Sequence, residues 1–165
     1  MNESDLDANK LTRSEIAGMI AALVLVISLF LPWFDLATSG VVRDSADDWV
    51  CGVGNNSCSG FDTFPILRWL LLAAATAPFI LAYIVVRGYA LSWPRGELTA
   101  VVGMTAFVLI AYNGFVDKPS QSNIGISLSL GYFLALLAAA GIAVAGAFRA
   151  VEAGGGGRRK PPATF

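Results

Sequence analysis

Residues 124–148 read IGISLSLGYFLALLAAAGIAVAGAF, a run without one charged side chain. About 20 helical residues cross a hydrocarbon core of roughly 30 Å. Lipid offers no partner to bare backbone N–H and C=O groups, so such a run must be a helix. Working outward, three more runs share its character: Ile16 to Phe34, Phe64 to Val86 and Leu98 to Val116. Only Arg68, near the start of its run, interrupts them with charge. The alternating pattern of a membrane β-barrel is nowhere visible.

The whole chain fits this reading. Of its 165 residues 56% are hydrophobic and 14% charged, against about 25% charged in a soluble domain. The expected fold is all-α, an integral membrane four-helix bundle with one disulfide-stapled outer loop. It divides into an N-terminal segment (residues 1–15), a transmembrane domain (16–148, with its outer loop at 35–63) and a basic tail (149–165). The first run is not read as a cleaved signal peptide. It exceeds the usual apolar length, and Glu3, Asp5, Asp7 and Glu15 make the leader acidic.

Orientation follows from the basic residues. Lys10, Arg13, Arg87, Arg95, Arg149, Arg158, Arg159 and Lys160 fall on one side, and Arg43, Arg68 and Lys118 on the other. The positive-inside rule assigns the richer side to the cytoplasm. Both termini are therefore expected inside, in a multi-pass protein of the plasma (inner) membrane. Trp33, Trp69 and Trp93, near span ends, are expected to anchor at the headgroup level. Asp62 or Thr63 can cap the second helix, and Pro78 should kink it, with Thr76 serving the freed backbone.

The chain has no histidine, which removes the commonest metal ligand and general acid/base together. No cofactor is expected, and a net charge of −1 gives no support to nucleic-acid binding. No ionisable residue falls at mid-span, where a transport or catalytic group would stand out. Tyr112 and Asn113 are expected to bridge helices.

Cys51 and Cys58 lie in the outer loop, on two extended pieces around a Gly-Asn turn. In an oxidising compartment they are expected to form a disulfide. Small residues at four-residue spacing let membrane helices approach closely. Ser127, Gly131, Ala135 and Ala139 form one such row, Gly141 and Ala145 a second, and Gly18 and Ala22 a third. Each serves either internal packing or docking of another subunit. Arg68, and Arg158, Arg159 and Lys160 in the tail, are candidate lipid-headgroup contacts.

Three resemblances bear on these residues. The Leu29-Phe30-Leu31-Pro32-Trp33-Phe34 ending of the first run resembles uncharacterised four-helix membrane proteins of high-GC actinobacteria, which implies no activity. Trp49, Cys51 and Cys58 in a large first outer loop resemble the claudin-like tetraspan arrangement, which implies cytoplasmic ends. Asp47-Asp48 stand where that family has Gly-Leu. Span count and a cysteine pair are similar to quinone-linked thiol oxidants, but those use Cys-x-x-Cys and a second pair. The expected function is a non-catalytic accessory or assembly subunit of a larger membrane complex, with other membrane subunits and the bilayer as partners. A small-molecule or lipid carrier comes next, and a thiol-redox enzyme after it.

Overall fold

The computed structural model describes residues 11–37, 57–87, 95–116 and 125–155. In chain order the elements are α1 (Arg13–Phe30), β1 (Pro32–Ala37), β2 (Ser57–Ser59), α2 (Gly60–Thr63), α3 (Leu67–Val86), α4 (Arg95–Phe115), β3 (Gly125–Leu128) and α5 (Leu130–Gly155). Four of the helices, α1, α3, α4 and α5, are long and apolar enough to cross a membrane. The small antiparallel sheet, ordered β2-β1-β3, joins the segment after α1 to the segment before α5.

The described residues are mostly helical, as expected, and the small sheet adds to that fold and moves two span boundaries. The first run was expected to stay helical to Phe34, but α1 stops at Phe30. Pro32 explains the stop: it disfavours helical backbone at the residue before it, and Leu31 sits at φ −82°, ψ 158°. Pro32 also has no N–H for the Ser28 carbonyl four residues back. Ser28 O accepts the Leu31 N–H at 3.2 Å instead, and the Trp33 indole Nε1 donates to the same oxygen at 2.8 Å. The last run likewise begins as strand β3 rather than helix, pairing Asp35 with Ser127 and Leu36 with Ile126. Ser127 is thus on a strand, off the helical row assigned to it.

The pairing of β1 with β2 is irregular between Pro32 and Phe34. A bulge re-aims a side chain, and here the neighbours Trp33 and Phe34 are both fully buried. They pack with Phe64 and Tyr132, whose ring lies edge-on to Trp33 at 5.7 Å. Trp33 is therefore a core residue of the sheet end and not a headgroup anchor. Trp69 is 62% exposed near the start of α3, and Trp93 lies outside the described residues.

Buried positions recur every three or four residues on each long helix. They are Gly18, Ala22, Leu25 and Leu29 on α1, and Leu67, Leu71, Ala75, Pro78, Ala82 and Val85 on α3. This 3.6-residue recurrence is the apolar stripe that each helix turns toward its neighbours. The α4–α5 pairing is the most extensive, α1 packs on α5 and α3, and α3 meets α4 most loosely. The α4–α5 seam is close because glycine removes side chains from both sides. A Cβ at Gly103 would stand 2.4 Å from the Ala143 nitrogen, and one at Gly146 2.3 Å from the Ala100 nitrogen.

The end opposite the sheet is tied by polar groups. Glu15 forms an ion pair with Arg149, and its other oxygen accepts the Thr12 N–H at 2.8 Å. Ser14 donates to Glu152 at 3.2 Å, so the first turn of α1 is clamped to the last turns of α5. A carboxylate three residues past the N-cap also suits the helix dipole.

Candidate functional site

The α3–α4 seam, the loosest of those between neighbouring long helices, holds an opening. It is a cleft of about 300 Å³ between α3 and α4. Leu70 and Leu71 followed by Ala73, Ala74 and Ala77 line it on α3, and residues from Val101 to Leu109 line it on α4. The opening follows from the sequence on both sides. Alanine side chains are too short to fill the seam, while the glycines of α4 draw that helix against α5. The apolar surface continues across α4, where Val101, Met104 and Val108 are all more than half exposed.

The cleft offers little polar chemistry. The Thr105 hydroxyl donates to Val101 O in its own helix at 2.8 Å. Thr76 donates to Ala73 O at 2.7 Å. It does not serve the carbonyl that Pro78 frees, which belongs to Ala74 four residues back. An occupant of this cleft would be held by shape and dispersion.

The small-residue rows occupy other positions. A Cβ at Gly131 would stand 2.5 Å from the Pro32 carbonyl oxygen, and Ala135 and Ala139 are fully buried. A Cβ at Gly18 would meet Ala145 at 3.5 Å, one at Gly141 would meet Ala21 at 3.2 Å, and Ala22 is fully buried. All of these contacts lie within the chain. The glycines that matter most on α4, Gly96 and Gly103, escaped the sequence reading because they stand seven residues apart rather than four. No scan for four-residue rows finds them, whereas a heptad scan would: Gly96, Gly103 and Ile110 are all buried.

No protein-family model, curated protein or solved structure matches the chain. Function has to be read from its own residues.

The remaining candidates separate. Tyr112 is exposed and Asn113 donates to Leu109 O in its own helix, so among the described residues neither makes the expected bridge to another helix. Tyr132 does so instead, its hydroxyl donating from α5 to Ile110 O on α4 at 3.3 Å. The expected caps also shift. Ser59 caps the short α2 by accepting the Asp62 N–H, while Ile66 precedes α3 without a side-chain cap. Cys58 is 2% exposed on β2, opposite Phe34, and no free cysteine occurs among the described residues. Cys51, Arg158, Arg159 and Lys160 lie outside those residues. Arg68 donates to Phe61 O at 3.4 Å rather than pairing with Asp62 or Asp35.

Proposed function

We propose that this protein is a non-catalytic accessory or assembly subunit of a membrane complex, and that a transmembrane helix of its partner docks in the α3–α4 cleft. The carrying observation is the alanine patch Ala73, Ala74 and Ala77, which continues the wall begun by Leu70 and Leu71 beside a loosely closed seam. Lipid tails are as apolar as any helix, so exposed leucine or valine alone selects nothing. A patch of small residues differs, because it lets a second backbone come close.

The other features fit a scaffold. In this reading the sheet end faces out and both termini are cytoplasmic. A Cys51–Cys58 disulfide staples the outer loop to the buried edge at β2. A sulfur shielded to this degree is poorly placed for thiol exchange, which needs access. The second reading, a lipid carrier, rests on the same cleft, since a volume of about 300 Å³ open to the bilayer also admits an acyl chain.

Filling the cleft tests the choice. Ala77→Phe should remove the partner subunits that co-purify in mild detergent, while Leu137→Ala, on the outward face of α5, should leave them in place. An unchanged complement in Ala77→Phe would overturn the docking assignment. Lipid transfer between liposomes by the purified chain alone would establish the carrier reading in its place.

A further inference from the structure

Arg68 is a cation on an aromatic ledge at the sheet end of the bundle. Its guanidinium carbon lies 4.9 Å from the Phe61 ring centre and 5.6 Å from that of Trp69. Phe61 in turn stacks on Phe30 at 5.1 Å. Phe30 and Trp69 are each 62% exposed, so apolar surface flanks the charge on both sides. A guanidinium has five N–H donors. Among the described residues this one makes a single long bond, to Phe61 O at 3.4 Å, and its Nε is buried with no hydrogen-bond partner there. Its sequence neighbour Asp62 is engaged by the Ser59 hydroxyl at 2.7 Å. Among the described residues no carboxylate pairs with Arg68.

We propose that Arg68, with the flanking Phe30 and Trp69 rings, is a binding site for the phosphate of an anionic phospholipid headgroup. A planar fork of donors matches phosphate oxygens bidentately, and a cation with no carboxylate partner among the described residues, at an apolar boundary, favours an anion of this geometry. The exposed rings give the attached acyl chains a surface to follow. This sets the lipid apart from free phosphate, which would gain nothing from them.

The test uses the full chain in nanodiscs of phosphatidylcholine carrying a minor fraction of chain-brominated lipid. Bromine quenches nearby tryptophan, and subtraction of the Trp69→Phe variant isolates the signal of Trp69. Brominated phosphatidylglycerol should quench Trp69 roughly fivefold more efficiently than brominated phosphatidylcholine at equal mole fraction. The preference should vanish in Arg68→Gln and survive millimolar inorganic phosphate. Equal quenching by the two lipids in the native chain would overturn the site, and that comparison needs no Arg68 variant to fold. A preference that persists in Arg68→Gln would overturn the role of Arg68. Displacement of the lipid by inorganic phosphate would assign the site to free phosphate and overturn the headgroup assignment.

Discussion

Adding one methyl group at Gly103 should destabilise the bundle although alanine is the better helix former. The new Cβ would stand 2.4 Å from the Ala143 nitrogen, 2.8 Å from its Cα and 2.9 Å from the Ile142 carbonyl carbon. Ordinary contact begins near 3.4 Å, so the α4–α5 seam would have to open by about 1 Å. All three atoms are backbone, so no side chain can rotate away. Overpacking of this kind costs about 1–3 kcal/mol. The alanine propensity gain offsets at most about 1 kcal/mol of that. Because backbone atoms cannot rotate away, the upper end of that range applies, and a net loss of about 2 kcal/mol is expected. Gly18→Ala is the matched control, because its Cβ would meet Ala145 at 3.5 Å and Pro78 at 3.9 Å, both ordinary contacts. Reversible unfolding in mixed micelles, titrated with dodecyl sulfate and followed by circular dichroism, reads both variants. If Gly103→Ala is as stable as the native chain, or if Gly18→Ala loses as much, the close-seam argument fails.

Three further outcomes are expected. Trp33→Phe removes the 2.8 Å indole bond to the Ser28 carbonyl, which keeps the Leu31 N–H at 3.2 Å, and should cost about 1 kcal/mol in the same titration. Arg149→Gln leaves the Glu15 carboxylate, 7% exposed, without its cation. The cost should be about 2 kcal/mol, below that of a fully buried pair because water still reaches the arginine. The double variant with Glu15→Gln should recover part of the loss, and additive losses would remove the coupling. Peptide mapping without reductant should find Cys51 linked to Cys58. With both then replaced, a cysteine at Ser45 should react with an impermeant reagent on intact cells and one at Ala90 should not; the reverse pattern would invert the orientation.

The four helices were legible because a long uncharged run in lipid has one backbone solution. The sheet was not. Leu31 to Phe34 and Ile124 to Ser129 are as apolar as the spans they adjoin, so composition extends the helices through them. What ends the helices is local at Pro32, and Pro32 could have been read as a stop. What pairs Asp35 with Ser127 is a contact across two separate connectors, which no local pattern encodes. Trp33 shows the same limit, since a span-end indole reads as an anchor until a bulge turns it inward. The cleft is also tertiary. It exists because glycines on α4 favour α5 while alanines on α3 leave their own side unfilled.

The docking assignment is tested most directly by a photoreactive side chain at Val101, on the rim of the cleft, activated in native membranes. The same group at Leu23, 53% exposed on α1, serves as the reference. Val101 should give one discrete adduct with a membrane polypeptide, lost when Ala77→Phe fills the cleft, and Leu23 should give none. Lipid adducts alone at Val101, or the same products at both positions, would contradict a partner helix in the cleft.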